Sequence, residues 1–149
     1  GNGTQHMFEE DDSVFYFSTH QYPHYPGTGD KTEAGRGKGK GFTYNMPMKH
    51  GSGDKEYFSA YNDILPHLVK KFEPDMILVS AGYDIHSKDP LSGINVSNEG
   101  IREIVHGILS CSSLVTRHSS LPFIFALEGG YDLQALGKSV LLTIKEMLA

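Results

Sequence analysis

The chain has 149 residues, of which 38% are hydrophobic and 21% charged, a composition typical of a globular protein rather than a disordered or fibrous one. Its formal net charge of −5 excludes the strongly basic surface that is typical of proteins that bind nucleic acid directly. No apolar run approaches the roughly 20 residues that span a bilayer. The single cysteine, Cys111, excludes a disulfide framework and a cysteine-based zinc finger, and fits a reducing compartment: cytoplasm, or nucleus in a eukaryote.

The predicted elements follow an α/β order. Short apolar runs predict strands at residues 13–18, 41–46, 76–80 and 122–127. Helical periodicity covers residues 57–72, 98–114 and 133–148, and Pro66 is expected to interrupt the first of these helices with a kink or a restart. The last two strands are apolar on both faces, which is typical of buried parallel strands. The pattern predicts an α/β fold with a parallel sheet flanked by helices.

A run rich in glycine and lysine lies between the first two strands, at residues 27–41. It lacks the spacing of a phosphate-binding loop, because each Gly-Lys pair is followed by glycine rather than by serine or threonine. We therefore expect an irregular loop there.

Polar residues follow the last two predicted strands. Asp84 lies beyond residues 76–80, and Tyr131 follows Gly129 and Gly130 beyond residues 122–127. Ligands gather at the carboxyl ends of parallel strands, so both side chains are candidates for one crevice. Asp84 is either a metal ligand or a cap of its loop or of the next helix. Tyr131 is either an oxyanion hydrogen-bond donor or an aromatic packed under a tight turn, and residue chemistry alone favours packing.

Several motifs, in this order, resemble those of the histone deacetylase and acetylpolyamine amidohydrolase superfamily of zinc-dependent hydrolases. They are Gly-Asn-Gly-Thr-Gln-His at residues 1–6, Tyr-Pro-Gly-Thr-Gly at 25–29, Ser-Ala-Gly-Tyr-Asp at 80–84, Asp-Pro-Leu at 89–91 and Glu-Gly-Gly-Tyr at 128–131. The resemblance covers essentially the whole chain. It implies an arginase/deacetylase-like fold, present only as its C-terminal half, with residues 1–149 forming part of a single domain.

The resemblance also implies roles for individual residues. Asp84 matches a ligand of the catalytic zinc ion, and Tyr131 matches the catalytic tyrosine that stabilises the tetrahedral intermediate. The positions that match the acyl-lysine tunnel are Tyr25 at its wall, Pro90 and Leu91 at its rim, and Gly129 and Gly130 at its floor. Two sets match structural sites for a monovalent cation, usually K⁺: Ser18 and Thr19 in the first, and Phe8, Asp11, Val14 and Phe42 in the second.

The implied reaction is deacetylation of acetyl-lysine or of a small acetylated amine. The family's other two zinc ligands and its general-base histidine lie upstream of the Gly-Asn-Gly-Thr motif, and this chain does not contain them. The start at Gly1 without an initiator methionine fits a chain that begins mid-protein. We therefore expect this piece to be inactive alone, and to need the missing N-terminal half to fold stably or else to form homo-oligomers or aggregates.

Two alternatives remain. A non-catalytic deacetylase-like module would bind acetylated ligands or a protein partner without turnover. A related arginase-like metal hydrolase shares the fold, but the Gly-Gly-Tyr motif and the lack of an Asp-x-Asp pair at Asp84 disfavour it.

Overall fold

The computed structural model describes residues 1–116 and 120–149 and divides into two compact units, residues 1–50 and 51–149. Each unit contains one pair of parallel strands together with helices. The predicted α/β class with parallel strands is therefore confirmed. Among the described residues, no helix has the length and apolar character that a membrane span requires.

The first unit contains α1 (Asn2–Phe8), β1 (Tyr16–Gln21) and β2 (Thr43–Met48). The strands pair in parallel and begin three and two residues later than predicted. For β1 the reason is local: Asp11 Oδ1 accepts hydrogen bonds from the backbone N–H of Ser13 at 2.8 Å and from its hydroxyl at 2.6 Å. This Asx turn bends the chain at residues where the apolar pattern predicted a strand.

A partly buried polar network joins the elements of the first unit around Glu33. Gln5 Nε2 on α1 donates to Glu33 Oε2 at 2.5 Å, and Asn45 Nδ2 on β2 donates to Gln5 Oε1 at 2.9 Å. The backbone N–H groups of Gly29 and Asp30 each donate to Glu33 Oε1 at 3.0 Å. The predicted loop is confirmed, because residues 27–41 contain only one short 3₁₀ turn, Gly37–Gly39.

The second unit contains α2 (Asp54–Phe58), α3 (Leu65–Phe72), β3 (Ile77–Ala81), α4 (Asn98–Ser110), β4 (Phe123–Leu127) and α5 (Leu133–Met147). A π-helical turn, Ser59–Ile64, separates α2 from α3. The predicted interruption near Pro66 is confirmed. The proline lies in the first turn of α3, directly after the π-helical turn, where the helical hydrogen-bond pattern changes.

Side-chain caps fix the starts of the two long helices. Ser97 accepts a hydrogen bond from the Gly100 N–H group at the start of α4, and Asp132 accepts one from Ala135 N–H at the start of α5. The apolar face of α4 supplies much of the core, with Ile101, Ile104, Val105 and Ile108 all at most 8% exposed. A 3₁₀ turn, Cys111–Leu114, extends α4 to the predicted end of that helix.

The pair of strands β3 and β4 differs from its prediction in one respect. They run parallel, with Ile77 opposite Phe123, as expected. Their predicted burial on both faces is wrong for this chain, because Leu78 is 70% exposed and its neighbour Ile124 is 53% exposed. Within the described residues, this apolar face of the strand pair therefore remains open to solvent.

The pH dependence of stability tests the Glu33 network. Burial alone raises the pKa of Glu33, but hydrogen bonds from Gln5, Asp30 and Gly29 outweigh it and lower the pKa below its ordinary value. A lowered folded pKa stabilises the fold above the unfolded pKa and loses that contribution as pH falls through the folded pKa. In the full-length protein, Glu33→Gln should cost about 1 kcal/mol of unfolding free energy at pH 7. Urea unfolding of both proteins at pH 7 and near pH 4 would measure the difference in unfolding free energy, which should be smaller near pH 4. A difference that does not change with pH would contradict the prediction.

Thiol labelling tests the core of the second unit. Cys111 is fully buried, and burial raises the pKa of its thiol to about 11. Because the thiolate is the reactive form, iodoacetamide should label Cys111 at least about tenfold more slowly in the folded full-length protein than in urea at pH 8. Mass spectrometry of the Cys111 peptide would measure the rate. Equal labelling in both states would contradict this packing.

Candidate functional site

The candidate site lies where β3 and β4 end at the same edge of their sheet. Beyond β3 comes a 3₁₀ turn, Tyr83–Ile85, and beyond β4 comes the loop at residues 128–131. Backbone hydrogen bonds join the two loops, from Glu128 N to Ala81 O at 3.1 Å and from Tyr83 N to Gly129 O at 2.9 Å. The parallel pairing therefore brings together the segments that carry Asp84 and Tyr131.

The Asp84 carboxyl group occupies a narrow space between two glycines. A Cβ atom placed on Gly82 would lie 2.8 Å from Asp84 Oδ1, and one placed on Gly129 would lie 2.9 Å from both Oδ1 and Cγ. Real Cβ atoms essentially never approach that closely. A side chain at either position would therefore displace the Asp84 carboxyl group from this space. Asp84 does not cap the next helix, since Ser97 caps α4.

Tyr83 anchors the turn that carries Asp84 to α5. Its side chain is 8% exposed, and its hydroxyl lies 2.8 Å from Thr143 Oγ1. The Thr143 hydroxyl itself donates to the Ser139 carbonyl at 3.1 Å, so the Tyr83 hydroxyl is the donor of the shorter bond. The position of the Asp84 backbone is thus tied to a helix rather than to a free loop.

Tyr131 follows a turn that needs glycine. Gly130 has φ +134°, a conformation that residues with a side chain rarely adopt. The Tyr131 side chain is 56% exposed, so the expectation of an aromatic packed beneath the turn is wrong. Its phenol is accessible to a ligand.

Asp89 is the residue that sequence reasoning missed. It is 8% exposed, and its carboxylate accepts hydrogen bonds from the backbone N–H groups of Leu91 at 2.9 Å and of Tyr131 at 2.7 Å. An aspartate before proline is a turn signal, so the local bond to Leu91 had a signature in the sequence. The bond to Tyr131 spans 42 residues and had none.

His86 is a structural residue. Its ring is 3% exposed, with Nδ1 accepting the Lys88 N–H at 3.1 Å and Nε2 lying 3.3 Å from Asn98 Oδ1. Since Nδ1 is an acceptor, the proton lies on Nε2 and points to the Asn98 amide oxygen. Both ring nitrogens are engaged in hydrogen bonds within this turn and with α4.

The predicted tunnel residues lie on exposed or half-buried backbone. Pro90 is exposed and Leu91 is 61% exposed, while Gly129 and Gly130 form the turn between β4 and Tyr131. Tyr25 belongs to the other unit and is 92% exposed. A bulky aromatic that is so exposed has little role in the packing of its own unit.

The residues of the two predicted cation sets lie within the first unit. Ser18 and Thr19 are on β1, where the Ser18 hydroxyl lies 3.0 Å from His20 Nδ1. In the second set, the Phe8 carbonyl accepts from Asp11 N at 3.0 Å and the Phe42 carbonyl accepts from Tyr16 N at 2.8 Å. The second of these bonds joins the start of β1 to the residue before β2, and each carbonyl keeps a second lone pair.

The described part of the second unit offers a suitable type of zinc ligand, but too few ligands for a zinc site. Asp84 offers a carboxylate oxygen, which is a suitable zinc ligand, whereas a catalytic zinc site uses three protein ligands. Across residues 1–116 and 120–149, no group of three or more histidine, cysteine, aspartate or glutamate side chains is arranged to hold a metal ion. A zinc ion at Asp84 therefore needs further ligands from outside the described residues.

Comparison with known proteins identifies the family. The model of the histone deacetylase domain matches residues 1–147. The chain belongs to the histone deacetylase family. This membership confirms the resemblance seen in the sequence motifs and disfavours the arginase-like alternative.

Individual relatives of this deacetylase-family chain agree with that assignment. It is 39% identical over 148 residues to histone deacetylase 14, chloroplastic, of Arabidopsis thaliana, covering 99% of this chain and 34% of that protein. It is 45% identical over 141 residues to a probable deacetylase of Methanothermobacter thermautotrophicus, covering 93% and 40%. The crystal structure of acetylpolyamine aminohydrolase from Burkholderia pseudomallei matches with a TM-score of 0.87 at 30% identity, covering 99% and 42%.

The fold is thus the deacetylase fold, and the chain spans about two fifths or less of each of these proteins.

Proposed function

We propose that the protein containing this chain is a zinc-dependent amide hydrolase that removes acetyl groups from acetyl-lysine or small acetylated amines. Residues 1–149 would form the C-terminal portion of its single deacetylase domain. The proposal depends on one observation: Asp84 and Tyr131 occupy adjoining loops, with the carboxyl group held between glycines and the phenol exposed. Family membership supports it.

The chemistry divides between a metal ion and side chains of this chain. Zinc in such a site polarises an acetyl carbonyl and lowers the pKa of a bound water. Asp84 would supply one carboxylate ligand, and its glycine-lined slot would hold that ligand in one orientation. The Tyr131 hydroxyl would donate a hydrogen bond to the oxygen on which negative charge develops. Amide hydrolysis then releases acetate and the free amine.

Substrate binding falls to the exposed residues around these two. Pro90 and Leu91 would form the rim of the acyl-lysine tunnel, with Gly129 and Gly130 at its floor and Tyr25 at its wall. Glycines suit a floor, because they let a slender acyl chain approach the backbone closely. The apolar character of Leu91 suits the alkyl part of a lysine side chain better than a polyamine.

The two cation sets would have a structural role. Potassium bound by Ser18 and Thr19, and by the second set around Phe8 and Phe42, would stiffen the turns that flank β1 and β2. Main-chain carbonyls would supply much of this coordination, so these side chains tolerate exchange better than Asp84 does.

The other zinc ligands and the proton-accepting histidine would come from the rest of the protein. Two observations support this division: the described residues hold no three-ligand metal group, and the chain spans only 34–42% of the relatives compared. The exposed face at Leu78 and Ile124 is apolar, as expected for a surface that the rest of the domain covers. Without that part the chain would be inactive and prone to self-association.

Removal of the Tyr131 hydroxyl tests the catalytic assignment. In the zinc-loaded full-length protein, Tyr131→Phe should lower kcat on an acetyl-lysine peptide by about 10²–10³, because one oxyanion donor is lost. Tyr44→Phe is the matched control, since Tyr44 is 40% exposed on β2 and should keep normal turnover. Released acetate would be measured. A zinc-bound, folded protein that binds acetylated peptide without turnover would instead support the non-catalytic module.

The glycine slot gives a second test, of metal binding. Gly129→Ala places a Cβ atom where the Asp84 carboxyl group lies, so this ligand must move and zinc affinity should fall by about tenfold to 100-fold. Gly137→Ala is the control, because its Cβ meets nothing within 4 Å and alanine favours a helix interior. Zinc competition titration of the full-length variants would measure both. Unchanged affinity in Gly129→Ala would contradict the proposal that this slot holds the Asp84 carboxyl group in its zinc-binding orientation.

A further inference from the structure

We propose that Asp89 is a positioning residue that orients the Tyr131 hydroxyl towards the substrate from a buried carboxylate. The inference rests on the proposed deacetylase function, since Tyr131 is the group whose placement matters. It assigns a role to the aspartate of the Asp-Pro-Leu motif. The hydrogen bonds of the Asp89 carboxylate go to backbone N–H groups, not to the Tyr131 phenol or to Asp84.

Both oxygens of the Asp89 carboxylate are used, and each has a different partner. Oδ1 accepts the Leu91 N–H group at 2.9 Å, while Oδ2 accepts the Tyr131 N–H group at 2.7 Å. The residue is 8% exposed, so water competes little for either bond. Hydrogen bonds to a charged acceptor are about twice as strong as neutral ones. One carboxylate thus links the predicted tunnel rim to the backbone of the predicted catalytic tyrosine.

The turn before Tyr131 explains why this link matters. Gly129 and Gly130 have no side chains to restrict their backbone, and Gly130 has φ +134°. Immediately after Tyr131, Asp132 caps α5 through Ala135 N–H at 2.7 Å. The Asp89 bond therefore fixes the tyrosine between a flexible pair of glycines and a rigid helix. A catalytic group displaced by about 1 Å can lose about 10² in rate, so this bond should affect turnover.

A merely structural role predicts a different outcome. A buried carboxylate with two hydrogen bonds also stabilises the fold, and its loss would lower activity whatever residue stands at position 131. A positioning role acts only through the Tyr131 hydroxyl, so its effect on kcat should disappear once that hydroxyl is removed. Such non-additivity is what a double-mutant cycle measures.

The experiment is a cycle in the zinc-loaded full-length protein, with Asp89→Asn, Tyr131→Phe and the double variant assayed on an acetyl-lysine peptide. Asp89→Asn keeps the shape of the side chain. Its amide NH₂ group, a donor, would then face one of the two backbone N–H groups that the carboxylate accepts from. We expect it to lower kcat about tenfold to 100-fold with Tyr131 present, and by less than about twofold in the Tyr131→Phe background. Any rise in KM should persist in both backgrounds, because the bond to Leu91 positions the rim.

Asp132→Ala is the matched comparator. It removes a helix cap next to Tyr131 and so destabilises the same region without breaking the Asp89 bonds. The part of its effect that comes from lost folded protein should be the same with and without the Tyr131 hydroxyl, and gives the size of a purely structural loss in this region. Zinc content and Tm are recorded for every variant, so that a loss of folded, metal-bound protein is separated from a loss of turnover.

The outcomes separate this inference from the function beneath it. Equal falls in kcat in both backgrounds, or an unchanged kcat in Asp89→Asn, would overturn the positioning role while leaving the deacetylase function in place. Absence of turnover in the unsubstituted, zinc-bound protein would overturn both. If Asp89→Asn does not fold, amide hydrogen exchange of the unsubstituted protein decides: the Tyr131 N–H group should be protected, and free exchange would refute the inference.

Discussion

The parallel pairing of β3 with β4 is the constraint on which the candidate site depends. Residues 84 and 131 are far apart along the chain, yet the register from Ile77 opposite Phe123 to Ala81 opposite Leu127 makes both strands end together. The two loops then continue the ladder through Glu128 and Tyr83 backbone hydrogen bonds. A shift of the register by one residue would turn every side chain of the shifted strand to the other face and separate Asp84 from its slot at Gly129.

Rigid helices on one side convert this alignment into a fixed geometry. Tyr83 is bonded to Thr143 on α5, and α5 itself packs against α4, whose apolar face is the centre of the core. The site is thus built on loops whose ends are tied to the best-packed part of the unit. Side chains can be held in a reactive arrangement only if their backbones have few alternatives, and here the buried side chains of Tyr83 and Asp89 restrict the backbone of the two loops.

Much of this arrangement was readable in the sequence, because local chemistry determined it. The apolar runs at β3 and β4, the helical periodicity of α4 and α5, and the effect of Pro66 all follow from short-range patterns. The motifs, in their order along the chain, identified the family, and hence the predicted roles of Asp84 and Tyr131. Prediction failed where a distant or single contact decides the outcome: the Asx turn at Asp11 delays β1, and the exposed face at Leu78 depends on what lies against it. The Asp89 bond to Tyr131 has no signature along the chain, since only the fold brings these residues together.

The glycine-lined slot also constrains the order in which this chain can change over generations. Gly82 and Gly129 are held by the volume of the Asp84 carboxyl group, not by a left-handed backbone of their own. A Cβ atom at either glycine would meet the Asp84 carboxyl group, and a smaller residue at position 84 would remove that contact. Loss of Asp84 should therefore come first in any lineage that abandons catalysis. Side chains at positions 82 and 129 would then accumulate, and would make the loss difficult to reverse.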